Sequence, residues 1–95
     1  MNYIIYPTKE SVVLPSRGYF TKGDKGSSIA IISSFLAANF MCYEAKTGVK
    51  IDEMLGEYLG NNLIVWIKLF QKNNDLEVDG NIGPKTLNKL KEYGL

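Results

Sequence analysis

Few side chains in this sequence could carry covalent or metal-dependent chemistry. The chain has no histidine and a single cysteine, Cys42. Classical zinc sites, Ser–His–Asp triads, Cys–His dyads and disulfide frameworks are therefore excluded. Carboxylates alone can hydrolyse glycosides, but no glutamate can be identified by spacing in the apolar setting that a catalytic acid needs. We therefore interpret the chain as non-enzymatic and without a cofactor, and Cys42 as a small buried hydrophobic residue.

The charge balance argues against a nucleic-acid partner. Lysine and arginine number 11 and aspartate and glutamate 10, for a formal net charge of +1, with no basic cluster. The uncharged stretch 27–43 reaches the lower limit for a membrane span, but its serines and Asn39 favour a buried helix. The residues after Met1 lack the basic start and long apolar run of a signal peptide. We expect neither a membrane span nor a signal peptide.

Length and composition predict one small all-α domain. A chain of 95 residues, 45% hydrophobic and 12% aromatic, can fill one modest core. Residues 1–20 are predicted to be an extended N-terminal extension or linker, with two short apolar runs (3–6 and 12–14) that are each closed by a proline. Residues 21–95 are predicted to be the domain. Its expected elements are a breaker loop at 21–26, helices at 28–43, 61–73 and 84–93, and one helical turn near 51–55.

The first predicted helix is apolar on two sides. One stripe holds Ile29, Ile32, Leu36, Phe40 and Tyr43, and a second holds Ile31, Phe35 and Cys42. Ser27 or Ser28 is expected to cap the start of the helix. The body of the domain covers one stripe, so the other needs the N-terminal segment or a partner chain. This predicts pairing of two copies through the first helix as one of two alternatives.

The last third of the chain repeats its middle third after a shift of 23 residues. Leu59 pairs with Ile82, Gly60 with Gly83, and the helix positions that follow stay in phase. The other matched pairs are Leu55 with Val78, Ile64 with Leu87, Ile67 with Leu90, Lys68 with Lys91 and Phe70 with Tyr93. The pattern predicts one turn–helix unit used twice, with a binding groove between the copies.

One segment resembles a known family. The run Phe70-Gln71, then Leu76, Asp79-Gly80, Gly83-Pro84 and Thr86 is similar to the signature of the peptidoglycan-binding domain of bacterial and phage cell-wall hydrolases. Upstream, the stretch from Lys22 to Ile29 resembles the family's opening. The first half departs from the pattern: Gly56-Glu57 stands where Asp-Gly is common, and Ser33 where the first helix usually carries glutamine. The resemblance implies a compact three-helix fold over about residues 20–95.

The resemblance also implies a function and a site. The expected function is non-catalytic binding to peptidoglycan or another wall polymer, which targets a hydrolase such as a phage endolysin. The catalytic partner would be a separate domain or a full-length enzyme, in the host cytoplasm until lysis and then at the wall. The alternative is a protein–protein interaction or oligomerisation domain of the same fold. The expected ligand contacts are Tyr58, Asn61, Asn62, Trp66, Asn81, Lys85 and Asn88, and the expected structural residues are Asp79, Gly80, Gly83, Pro84 and Thr86.

Overall fold

The computed structural model describes residues 12–95, which form five helices. In chain order these are α1 (Ser27–Asn39), α2 (Tyr43–Thr47), α3 (Ile51–Met54), α4 (Asn61–Asn73) and α5 (Pro84–Glu92). Within this range there is no β-strand, only two isolated antiparallel bridges. The all-α prediction is confirmed. The predicted run 3–6 lies outside the described residues.

The two C-terminal helices follow their predicted bounds. α4 has the predicted ends, and α5 begins at Pro84, where a proline at the first position sacrifices no helical hydrogen bond. It ends one residue early because Tyr93 is its C-cap. The turn expected near 51–55 is α3, and α2 precedes it. None of the helices within residues 12–95 has both the length and the apolar character needed to cross a bilayer.

The first helix is shorter than predicted. It stops at Asn39, whose side-chain amide donates to the Phe35 carbonyl at 2.9 Å, and Phe40 leaves helical geometry at φ −132° and ψ 45°. The break lets the Phe40 ring pack edge-on against Phe70, with 5.5 Å between centroids. Cys42 consequently lies after the break and is exposed, so its predicted burial was wrong.

The expected serine cap of α1 was also wrong. Gly26 is the N-cap, at φ 140°, a conformation that favours glycine, and no side chain caps the helix. The Ser28 hydroxyl instead accepts a hydrogen bond from the Val13 N–H at 3.3 Å. The segment before α1 is thereby fastened to the helix.

A single core joins the long helices and the N-terminal segment. Ile29, Ile32 and Leu36 of α1 are fully buried, as predicted for the first stripe, and Ile31 of the second is 7% exposed. Phe35 is half-buried beside Gly94. Val12 and Phe20 also belong to this core. Residues 12–20 therefore pack on the domain, and the boundary between 20 and 21 stays a prediction.

Candidate functional site

The two turn–helix copies have matching geometry. The N-cap of α4, Gly60, has φ −104° and ψ −174°, and that of α5, Gly83, has φ −99° and ψ −169°. The preceding residues, Leu59 and Ile82, are both fully buried. The predicted 23-residue repeat is therefore present in the backbone and in the core.

The breaker loop connects both copies. Phe20, directly before the loop, exchanges two backbone hydrogen bonds of 2.9 Å with Ile82, which ties the start of the loop to the turn before α5. Farther along, the Gly23 N–H donates to the Leu59 carbonyl at 2.9 Å, and the Leu59 N–H to the Asp24 carbonyl at 2.8 Å. One loop thus fixes the position of the turns before α4 and α5.

Gln71 organises the turn before α5. Its side chain is 1% exposed, and its Oε1 accepts hydrogen bonds from the N–H groups of Asp79 at 3.1 Å and Gly80 at 2.9 Å. Its Nε2 lies 2.8 Å from the Asn81 carbonyl, 3.0 Å from Asp79 Oδ1 and 3.1 Å from Thr86 Oγ1. A buried amide satisfied on both ends holds this turn in one conformation.

An open cavity of about 510 Å³, the α5 hollow, lies beside this turn. Its polar lining includes Asn81 and Lys85, and its aromatic wall is Tyr19, which is 40% exposed. The Asn81 Oδ1 accepts a 2.8 Å bond from Thr21 Oγ1. The complete lining is Gly18, Tyr19, Leu76, Glu77, Asp79, Asn81, Gly83, Pro84, Lys85 and Thr86.

A second cavity, of about 360 Å³ and called here the α4 hollow, lies at the start of α4. Its lining is Glu53, Met54, Leu55, Tyr58, Gly60, Asn61, Asn62 and Leu63. After the 23-residue shift, every one of these residues except Leu55 coincides with a lining residue of the α5 hollow. The repeat therefore places two cavities at equivalent positions of the two copies.

The structure sorts the predicted contact residues into groups. Tyr58, Asn61 and Asn62 line the α4 hollow, and Asn81 and Lys85 line the α5 hollow. Asn88 is exposed on α5 but is not part of either lining.

The prediction that Trp66 contacts a ligand was wrong, because the side chain is buried. Its ring is fully buried and its indole N–H donates to the Val49 carbonyl at 3.0 Å. Trp66 packs edge-on against Tyr43, with 5.5 Å between ring centroids. The second copy has Lys89 at the equivalent position, so the repeat does not require an aromatic ring there. Trp66 fastens the α2–α3 connection to α4 and is unavailable to a ligand.

Two residues of the site were missed by sequence reasoning. Tyr19 fell in the predicted N-terminal extension, and only its neighbour Phe20, which pairs with Ile82, brings it to the α5 hollow. Gln71 was seen as part of the motif, yet its role was not assigned. A signal was present, because Gln71 is a polar residue directly after Phe70 on the buried side of α4.

The electrostatics of the site centre on Arg17 and Asp24. The Arg17 guanidinium donates to both Asp24 oxygens, at 2.6 and 3.1 Å, and lies 5.7 Å from the Tyr19 ring centroid. This bond, followed by the Thr21 N–H, holds the pKa of Asp24 below its usual value. The described ion pairs are Arg17–Asp24 and Lys89–Glu92, so Lys85 has no carboxylate partner among residues 12–95. Over the same range no three Cys, Asp or Glu side chains gather as metal ligands.

The fold and the duplicated turn–helix unit define a small helical module with two surface cavities. Residues 45–90 match the model of the family described as "Putative peptidoglycan binding domain". The match includes α4, the Gln71-bound turn and most of α5.

A solved structure has a similar fold. It is described as "The crystal structure of SleB N-terminal domain" and is 24% identical in sequence, with a TM-score of 0.60. The alignment covers 82% of this chain and 94% of that one. The similarity therefore extends beyond the family segment and supports the same fold for most of the chain. No match was found among curated proteins.

Proposed function

We propose that the chain is a non-catalytic module that binds peptidoglycan in the bacterial cell wall, with the α5 hollow as its principal site. The match of residues 45–90 to the model of the peptidoglycan-binding family supports wall binding. The observation that carries the proposal is the α5 hollow itself, formed on the family motif and lined by Tyr19, Asn81 and Lys85.

The chemistry of the α5 hollow suits a wall fragment. Sugar rings have apolar faces that pack on aromatic rings, and Tyr19 offers such a ring, supported by Arg17 on one side. The Lys85 ammonium, with no ion-pair partner among the described residues, suits a carboxylate of the stem peptide. An open, shallow cavity of this size accommodates part of a polymer rather than enclosing a small substrate.

We further propose that wall binding brings a catalytic hydrolase, such as a phage endolysin, to its substrate. The module would then reside in the host cytoplasm until lysis and act at the wall afterwards. A catalytic domain or full-length enzyme would be its partner. Self-association through the second stripe of α1 is a further proposal. Since Ile31 is buried within the chain, the half-buried Phe35 would make the contact. The molar mass from light scattering at high concentration tests this.

Co-sedimentation with purified sacculi tests the proposed function. The wild-type chain is expected to pellet saturably with sacculi, and Tyr19→Ala to pellet less. Lys46→Ala, at an exposed residue of α2, is the matched control and is expected to bind like wild type. A folded wild-type chain that stays in the supernatant with sacculi from several hosts contradicts wall binding and favours an interaction or assembly domain.

A further inference from the structure

We propose that the α4 hollow is a second binding site for the same ligand class, an N-acetylated disaccharide unit of the wall glycan, so that one chain holds two units of the polymer. The inference rests on the proposed function and adds the number of binding sites per chain. It is carried by the correspondence of two cavities, their aromatic walls and their shared support.

Each hollow has an exposed tyrosine beside the N-cap glycine of its helix. Tyr58 is 53% exposed, and its ring lies so close to Gly60 that a Cβ added there would be 2.8 Å from the ring. At the equivalent Gly83, an added Cβ would be 3.8 Å from the Tyr19 Cβ.

The two tyrosines do not come from equivalent positions. The repeat counterpart of Tyr58 is Asn81, whereas Tyr19 reaches the α5 hollow from the segment before α1. Both hollows therefore have an aromatic wall, although only the tyrosine of the α4 hollow comes from the repeated unit. Each lining also includes an amide side chain, Asn62 in the α4 hollow and Asn81 in the α5 hollow. A ring with an adjacent amide suits a sugar bearing an N-acetyl group.

The hollows are held in a fixed relation to each other. The Lys25–Tyr58 bridge lies at the α4 hollow and the Phe20–Ile82 bridge near the α5 hollow, and one continuous segment, residues 20–25, makes both bridges. A rigid pair of sites raises the effective concentration of the second sugar unit once the first is bound. Intact glycan strands are therefore expected to bind much more tightly than a single disaccharide.

The test is an NMR titration of the ¹⁵N-labelled chain with a soluble GlcNAc–MurNAc disaccharide. The amide signals of Gly60 and Asn62 and those of Gly83 and Lys85 are expected to shift together, and calorimetry to give two sites per chain. Tyr58→Ala is expected to abolish the first pair of shifts and Tyr19→Ala the second. Each variant should lose tenfold or more in affinity for intact sacculi, within the range that bivalency supplies. Val65→Ala, exposed on α4 and in neither lining, is the control.

The outcomes separate this inference from the proposed function. Shifts confined to one hollow, with one site per chain, overturn the second site and leave wall binding intact. Shifts in neither hollow, in a chain that still pellets with sacculi, overturn the disaccharide as the ligand of the hollows. A chain that does not pellet with sacculi overturns the proposed function itself.

Discussion

Ser33 and Gln71 support the turns before two successive helices in the same way. The Ser33 hydroxyl accepts a hydrogen bond from the Gly56 N–H at 3.1 Å, and the Gln71 Oε1 accepts one from the Gly80 N–H at 2.9 Å. Ser33 also donates to the Gly56 carbonyl at 2.9 Å. Both side chains are fully or almost fully buried, one on α1 and the other on α4. Ser33 thus takes, for the turn before α4, the role that Gln71 takes for the turn before α5.

Replacing Ser33 with alanine is expected to loosen the turn before α4. The substitution removes both hydrogen bonds to Gly56, and the loss of buried pairing costs about 1–2 kcal/mol of unfolding free energy. Chemical denaturation measures this cost. Ser27→Ala, at an exposed residue of α1, is the control and should change stability by less than about 0.5 kcal/mol. Equal stability of the two variants would contradict the role given to Ser33.

Gln71→Leu is expected to destabilise the turn before α5. The buried Gly80 N–H loses its acceptor, which alone costs about 1–3 kcal/mol. Hydrogen exchange should become faster at the Gly80 amide than the loss of global stability alone explains. The Phe40 amide, which is bonded to the Leu36 carbonyl of α1, is the control and should change only by the loss of global stability. Unchanged protection at Gly80 would show that the turn holds without the glutamine.

Gly80→Ala is expected to cost more than Gly48→Ala. Both glycines have φ 77°, which costs an alanine about 1–2 kcal/mol. A Cβ at Gly80 would also lie 2.8 Å from Ile64 Cγ2, whereas nothing lies within 4 Å at Gly48. The difference in unfolding free energy between the two variants therefore measures the close packing of the turn on α4. A zero difference would mean that the α4 side chains next to Gly80 move aside at no measurable cost in free energy.

Acid is expected to weaken the attachment of the loop before α1. Since the folded-state pKa of Asp24 is lowered, chiefly by Arg17, its contribution to stability is present above the unfolded-state pKa of about 3.9 and is lost as the pH falls through the folded-state value. Melting temperatures of wild type and Asp24→Asn between pH 7 and pH 2 check this. The two curves should converge at low pH, and parallel curves would contradict it.

Lys85→Gln is expected to weaken binding to sacculi and to reduce its sensitivity to salt. The substitution removes a charge that has no ion-pair partner among residues 12–95, so stability should hardly change. Binding between exposed charges is screened at high ionic strength. Co-sedimentation at low and high salt, with Lys46→Gln as the matched control, measures the effect. A salt response like that of wild type would exclude Lys85 from the contact.

The local elements of the fold were predictable where short-range signals agree. Gly60 and Gly83 mark helix starts, Pro84 fixes one of them, and the spacing from Leu63 onward sets the buried side of α4. The end of α1 was not predictable, because the apolar periodicity continues through Tyr43. The break lets Phe40 pack against Phe70 and Tyr93, and these long-range contacts are not encoded in the local pattern.

The candidate site was predictable only in part for a similar reason. Asn81, Lys85, Tyr58, Asn61 and Asn62 were found because they flank the repeated glycines, and the structure places them in two cavities. Tyr19 joins the site through the pairing of Phe20 with Ile82, which no local pattern encodes. Trp66 lies beside the buried stripe of α4, and its contacts with Tyr43 of α2 and the Val49 carbonyl, which the helix pattern does not encode, make it part of the core.

The pairing of the loop before α1 with the turn before α5 affects the order in which the chain can fold during its synthesis. Thr21 and Asn81 are 60 residues apart in sequence yet share a hydrogen bond. Because this loop is held by a turn near the end of the chain, it is expected to close only after residues up to Asn81 have left the ribosome. The segment 45–90 that matches the family model lacks Phe20 and Thr21, which form one side of this closure, so the folding unit extends beyond the matched segment.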